Sequence, residues 1–120
     1  MTGQVDAFRR PLLPISLRAD SAASPVKVEA WIDTGFTGDL VLPQSLVTAL
    51  QLLIVSRVDV GLADGSEAVL DTFAAYVDWF GELRRIEVIA NTGQYPLLGA
   101  GLLAGHRLLI DYNACSLEIE

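Results

Sequence analysis

The stretch Trp31-Ile32-Asp33-Thr34-Gly35-Phe36-Thr37-Gly38 decides how this chain is interpreted. It completes the segment Val26–Ile32, in which apolar and polar side chains alternate as in a half-buried strand. We expect a carboxylate at the end of such a strand to lie near the core and to be partly withdrawn from water. Gly35 lets the backbone turn tightly and approach a ligand. Taken alone, the stretch is equally well explained as an ordinary turn, because Asp and Gly are common turn residues.

Length and composition favour a single domain over residues 1–120 with a core of its own. Hydrophobic residues make up 52% of the chain, which is too many for a disordered protein. The most apolar run, residues 96–105, is far shorter than the ~20 residues that span a bilayer, and no signal peptide is recognised. The net charge of −7 argues against nucleic acid. We therefore expect neither a membrane nor a nucleic acid as partner.

Cysteine usage bears on the compartment and on metal chemistry. Cys115 is the only cysteine, so an intramolecular disulfide and a cysteine-based zinc cluster are both excluded. A reducing cytoplasm is the default localisation. We expect no metal and no other cofactor.

The rest of the chain has a mainly β pattern. Residues 1–10 show no period and predict a loose N-terminal arm. Apolar residues at helical spacing predict a helix over residues 43–53, with Pro43 at its first position, and a helical turn over residues 99–105. The other apolar runs predict short strands with turn signals between them. Many short strands with one or two short helices predict a small closed β-barrel or sandwich.

A second motif, Leu97-Leu98-Gly99, lies late in the chain. On its own it is explained as a core strand that ends where a helix begins. Joined with Asp33-Thr34-Gly35, it resembles the retropepsin-like (clan AA) aspartic proteases. That family has two apolar residues before Asp-Thr-Gly, two apolar residues and a glycine near its end, and a glycine-bearing hairpin, the flap, between them. The Gly-Phe-Thr-Gly continuation here is similar to bacterial members of the group.

The resemblance implies an aspartic endopeptidase that hydrolyses peptide bonds with a water molecule held between two aspartates. One carboxylate acts as the base toward the water and the other holds the shared proton as the acid. Two carboxyl groups so near each other cannot both ionise. The family's carboxylate pairs therefore titrate as a unit with separated pKa values. Because this chain has one Asp-Thr-Gly, the resemblance implies a C2 homodimer in which Asp33 meets its counterpart.

The same resemblance assigns roles to individual residues. Asp33 from each protomer is catalytic, Thr34 bonds to its counterpart across the two-fold axis, and Gly35 contacts the substrate backbone. Substrate binding falls to Gly35, Phe36 and Thr37 and to the flap turn of Ala63, Asp64, Gly65 and Ser66, whereas Leu97, Leu98 and Gly99 support the active-site loop.

Two features concern the viral members of the family. They have an acidic residue two positions after the glycine of the first motif, and it pairs with an Arg directly after the glycine of the second motif. In this chain the corresponding residues are Thr37 and Ala100. Viral members also dimerise through their chain ends in a shared sheet. Since Ser116-Leu117-Glu118-Ile119-Glu120 alternates apolar and polar residues, we expect it to be an interface strand.

Alternatives to the protease remain open. A catalytically weak or inactive dimer with the same fold would bind peptides or a protein partner along its strand edges. An unrelated small β-barrel leaves the ordered motifs unexplained. The remaining candidate residues have structural explanations: a loop cap for Asp39, a surface or strand-start position for His106, a turn for Asp111, a core or interface thiol for Cys115, and core positions for Trp31 and Trp79.

Overall fold

The computed structural model describes residues 1–120, apart from the side chains of Val58 and Val60. Over these residues the chain forms ten strands and two short helices. In chain order they are β1 (Thr2–Val5), β2 (Pro11–Arg18), β3 (Val26–Ile32), β4 (Leu40–Pro43), α1 (Gln44–Leu50), β5 (Leu53–Gly61), β6 (Glu67–Trp79), β7 (Glu82–Asn91), β8 (Leu97–Leu98), α2 (Ala100–Leu103), β9 (Leu108–Asp111) and β10 (Ser116–Ile119). The prediction of a mainly β fold with one or two short helices is confirmed.

The strands form one sheet in the order β5-β6-β7-β4-β8-β3-β2-β1-β10-β9. A further pairing joins β2 to β6, with Leu17 opposite Val77, and closes six of the strands into a ring. The short strand β8 lies between β3, to which it is parallel, and β4, to which it is antiparallel. The segments before and after the loop of residues 33–39 therefore flank the second motif.

The core consists of apolar side chains from both halves of this ring. In strand β2, the side chains of Leu13, Ile15 and Leu17 are almost fully buried. Leu98 and Leu102, which stand on either side of Gly99, are also fully buried. Burying one such side chain contributes about 1.5–3 kcal/mol, so the second motif is anchored by its own apolar residues.

The N-terminal segment is not the loose arm that the sequence predicts. Residues Thr2–Val5 form β1, which is hydrogen-bonded to β10 on one side and to β2 on the other. A Cβ atom on Gly3 would overlap the carbonyl of Leu12, so this pairing depends on glycine. A four-residue strand is too short to show a period, and its stability comes from its two neighbours.

The C-terminal strand is not available as an interface strand in the way we expected. Both edges of β10 are occupied within the same chain, by β1 and by β9. The apolar residues of its alternating pattern, Leu117 and Ile119, are 2% and 1% exposed. The alternation therefore reflects burial in the chain's own core.

Three smaller predictions need correction. The first helix ends at Leu50, because Gln51 adopts a left-handed backbone (φ 56°), and Leu53 already belongs to β5. Trp79 is buried as expected, but Trp31 is 36% exposed. Cys115 is exposed and so is not a core thiol.

Among the described residues, no helix is both long and apolar enough for a membrane crossing.

Candidate active site

Asp33 lies directly after β3, at the start of the loop that leads to β4. Its main-chain N–H donates a hydrogen bond to the carbonyl of Leu98 (2.9 Å), which continues the parallel pairing of β3 with β8 for one more residue. The first and second motifs are therefore adjacent in space, as the resemblance implies. The position of the aspartate is set by the sheet itself.

The Asp33 carboxylate is oriented by its own loop. Gly35 donates its N–H to Asp33 Oδ1 (3.0 Å), and Phe36 donates its N–H to the Asp33 carbonyl (3.2 Å). A Cβ atom on Gly35 would lie 3.3 Å from Oδ1 and would crowd the carboxylate. Asp33 is half-buried, whereas Thr34 and Gly35 are exposed. The loop thus holds the carboxylate and leaves the next two residues open to a ligand or to another chain.

The loop is fastened to the start of α2 at a junction that we call the loop–helix junction, formed by residues 36–39 and 99–101. Gly99 N–H donates to the Asp39 carbonyl (2.9 Å), Ala100 N–H to the Phe36 carbonyl (2.7 Å) and Gly101 N–H to the Gly38 carbonyl (2.9 Å). The first N–H groups of a helix have no partner inside the helix, and here the loop supplies their acceptors. Main-chain bonds therefore join the segments that viral members join with an acidic residue and an Arg.

Two glycines make this close approach possible. A Cβ atom on Gly99 would overlap the Gly38 carbonyl and the Phe36 ring, and one on Gly101 would overlap the Asp39 carboxylate. Gly99 has an extended backbone (φ −98°), so what requires glycine there is space and not an unusual conformation. The Asp39 carboxylate also accepts the N–H of Glu87 (3.2 Å) on β7, a strand contact instead of the local cap that we expected.

Two cavities border the loop. A cavity of about 290 Å³ beside the aspartate is lined by Trp31, Ile32, Asp33 and Leu97, so it contains residues of both motifs. A second cavity of about 320 Å³ is lined by Phe36, Thr37, Gly38, Asp39, Asp59, Thr72, Glu87 and Ile89. Phe36 and Thr37 therefore face a cavity that β5, β6 and β7 complete.

The predicted flap turn is a hairpin turn between β5 and β6. Leu62 N–H donates to the Ser66 carbonyl (2.8 Å), and Gly65, with φ +85°, donates to the Leu62 carbonyl (3.0 Å). Ser66 N–H donates to Asp64 Oδ1 (2.9 Å), and hydrogen bonds from Ser66 lower the pKa of the Asp64 carboxyl. Among the described residues, the lining of the two cavities at the loop does not include this turn. Its role in binding substrate remains a prediction.

Sequence reasoning missed several residues near the site. Arg10 lies over the ring of Tyr95, with Phe8 and Trp31 also close. Asp59, Thr72 and Glu87 complete the second cavity. No motif or period marks any of them, because each reaches the site through the pairing of distant strands. The one available signal was the position of Trp31, two residues before Asp33 on an alternating strand.

The comparisons with known proteins concern the fold. No protein-family model and no curated protein sequence matches the chain. A retropepsin-like aspartic protease from Rickettsia conorii superposes with a TM-score of 0.67 at 18% identity, over 98% of this chain and 86% of that one. The EIAV protease in complex with the inhibitor HBY-793 superposes with a TM-score of 0.57 at 16% identity, over 82% of this chain and 88% of that one. The retroviral protease-like domain of Ddi1 from Leishmania major superposes with a TM-score of 0.51 at 18% identity, over 91% of this chain and 88% of that one. The chain therefore has a retropepsin-like fold.

Proposed function

We propose that this protein is an aspartic endopeptidase whose site is completed when two copies bring their Asp33 residues together across a two-fold axis. The observation that carries the proposal is the Asp33 loop. Its aspartate is held by Leu98 and Gly35, beside a cavity lined by both motifs, in the fold that aspartic proteases share. Such a loop presents one carboxylate, which is half of what the reaction needs.

The exposed part of the loop supports the pairing of two copies. Thr34 and Gly35 are exposed, although Ile32 and Leu98 beside them are buried. A two-fold axis next to Asp33 would cover these residues and bring each carboxylate within reach of its counterpart. Because β10 is occupied within its own chain, the contact would be made at the loop and not through a shared C-terminal strand.

The chemistry follows from one shared proton. The ionised Asp33 takes a proton from the bound water as the water oxygen bonds to the peptide carbonyl carbon, and the protonated Asp33 gives its proton to the carbonyl oxygen. The C–N bond then breaks as the amine nitrogen receives the proton now held by the first carboxylate, while the second carboxylate takes a proton from one hydroxyl of the tetrahedral diol and the shared proton is restored. Two carboxylates alternate as acid and base, and the step needs no further group.

The test is cleavage of a peptide library at pH 4 to 7 by purified protein, with Asp33→Asn compared against Asp20→Asn. Asp20 is an exposed turn residue and is the matched control. Asp33→Asn should lower cleavage by about 10³-fold or more, because it removes the acid–base pair, whereas Asp20→Asn should leave it unchanged. Unchanged cleavage by Asp33→Asn would exclude the proposal.

A mixing experiment tests the pair itself. Equal amounts of wild-type and Asp33→Asn protein, allowed to exchange subunits, should retain about one quarter of the cleavage per total chain, because only one pair in four has two aspartates. Independent single-chain sites would retain half. If the wild-type protein is a dimer in sedimentation and binds peptides without cleaving them, the peptide-binding alternative replaces the protease.

A further inference from the structure

A second structured loop contacts Trp31, in the segment that sequence alone predicts to be loose. Asp6 organises it: Oδ1 accepts the N–H groups of Phe8 and Arg10 (2.9 Å each), and Oδ2 accepts Arg10 Nε (2.8 Å). Arg10 Nη2 lies 2.7 Å from the same Oδ2. The main chain closes the loop as well, since Asp6 N–H donates to the Arg10 carbonyl (3.0 Å). The side chain of Arg10 is therefore fixed at both its backbone and its guanidinium.

The fixed guanidinium lies among three aromatic rings. Its central carbon is 4.3 Å from the ring centre of Tyr95, 5.1 Å from that of Phe8 and 5.7 Å from that of Trp31. Trp31 and Tyr95 also meet edge to face, at 6.0 Å between centres and 83° between planes. These distances are those of cation–π contacts and of an aromatic pair. The Arg10 and Asp6 side chains are only 20% and 18% exposed, which strengthens the contacts by removing water.

The aromatic rings connect this loop to the aspartate. Trp31 is two residues before Asp33, whose main-chain N–H continues the pairing of β3 with β8 by one residue. Trp31 lines the cavity that contains Asp33. The main-chain N–H of Trp31 donates to the carbonyl of Pro96 (2.8 Å), the residue that follows Tyr95. Arg10 thus contacts Trp31, two residues before the first motif begins at Asp33, and Tyr95, two residues before the second begins at Leu97. Trp31 is 36% exposed, so its ring is not held by burial alone.

We infer that the Asp6–Arg10 pair is a positioning element that fixes the Trp31 ring as a wall of the Asp33 cavity. In the enzyme it sets the affinity for a large apolar substrate side chain next to the bond that is cut. It does not take part in the chemistry. The kinetic half of this inference rests on the proposed function, and the positioning half does not.

The positioning half is tested by tryptophan fluorescence in a Trp79→Phe background, where Trp31 is the only tryptophan. Arg10→Ala should raise the acrylamide quenching constant of Trp31 about two-fold, because a ring without its cation partner moves further into water. Arg107→Ala is the matched control, since Arg107 pairs with Glu120 at an exposed site. Equal quenching in Arg10→Ala and the parent would overturn the inference.

A second measurement covers the case in which Trp79→Phe does not fold. The chain has two tryptophans, and NMR of the otherwise unchanged chain follows their two indole N–H resonances. Arg10→Ala and Asp6→Asn should both shift the Trp31 resonance and leave that of buried Trp79 in place. A Trp31 resonance that neither substitution shifts would contradict the positioning role.

The kinetic half is tested with a peptide that the wild-type protein cleaves. Arg10→Ala should raise KM about five-fold and leave kcat within two-fold, because a wall of the cavity is loosened while the carboxylates stay in place. Arg10→Lys should recover only part of the affinity, since Lys keeps the charge but lacks the planar fork. A fall in kcat at constant KM, or the same change in Arg107→Ala, would overturn it. If the wild type cleaves nothing, the proposed function fails while fluorescence still decides the positioning.

Discussion

The Asp33 loop and the turn of the β5–β6 hairpin are both short connections with glycines, yet they are held in opposite ways. The Asp33 loop is joined to the second motif and to the start of α2 by four main-chain hydrogen bonds, donated by Asp33, Gly99, Ala100 and Gly101. Among the described residues, the hydrogen bonds of the hairpin turn, residues 62–66, join residues of the turn to one another. One connection is hydrogen-bonded to a distant segment of the chain, and the other is stabilised only locally.

The glycines of the two regions serve different physical needs. Gly99 and Gly101 provide space for a backbone that approaches closely, whereas Gly65 provides a left-handed conformation in an open turn with no atom within 4 Å of its missing Cβ. A carboxylate that must meet its counterpart needs a fixed position, and a hairpin that closes over a peptide needs freedom to move. The contrast is what a protease of this fold would require.

The largest expected effect comes from breaking the loop–helix junction. Gly99→Ala should destabilise the protein by about 3 kcal/mol, because the added methyl group overlaps the Gly38 carbonyl and the Phe36 ring. Urea unfolding measures this free energy. Gly61→Ala is the control, since nothing lies within 4 Å of its missing Cβ, and it should change stability by less than about 0.5 kcal/mol. Equal stabilities of the two variants would contradict the close contact at the junction.

A smaller effect is expected at the hairpin turn. Gly65→Ala should cost about 1 kcal/mol, because a φ of +85° strains a residue with a Cβ atom. Gly65→Asn should recover part of that loss, since Asn tolerates the left-handed region. Thermal unfolding of the three proteins measures both changes. A loss at Gly65→Ala as large as at Gly99→Ala would remove the contrast between the two regions.

The smallest effects concern two carboxylates whose pKa is lowered from the ordinary 3.8. A hydrogen bond from the Arg10 side chain is the main cause for Asp6, and one from the Ser66 side chain is the main cause for Asp64. NMR titration should show both pKa values below 3.8. Arg10→Ala should raise only that of Asp6, and Ser66→Ala only that of Asp64. The Ser66 main-chain N–H still lowers the Asp64 pKa in Ser66→Ala, so the expected change is partial, and an Asp64 pKa that does not rise at all would contradict the role of the Ser66 hydroxyl.

The sign of the accompanying stability change follows from these directions. A carboxylate with a lower pKa in the folded than in the unfolded protein stabilises the fold at pH values above the unfolded pKa. That contribution is lost as the pH falls through the lower, folded pKa. Asp6→Asn should therefore cost stability near neutral pH and much less near pH 2, as measured by urea unfolding at both pH values. A difference that does not depend on pH would contradict the assignment.

Much of the fold could be predicted from local pattern. The alternation of Val26–Ile32 predicts its strand, and the Asp64-Gly65 pair predicts the turn that the structure contains. The failures have different causes. Residues Thr2–Val5 have no local signal, because their strand is stabilised by β10 from the other end of the chain. Trp31 is exposed because it shares the outward face of β3 with Lys27 and Glu29, and the contacts of its ring come from Arg10 and Tyr95 in other segments.

The sequence by itself determined the chemical proposal: one Asp-Thr-Gly, a second motif in the right order and a glycine-bearing hairpin between them. These are features of short segments, and it is their resemblance to the retropepsin-like proteases that gives them a chemical meaning. Only the tertiary structure decided how the segments meet. It placed β8 between β3 and β4, fastened the Asp33 loop with main-chain bonds, occupied both edges of β10 and brought Arg10 to Trp31. Hydrogen bonds and close contacts between residues far apart in the chain carry that information, and no local pattern records it.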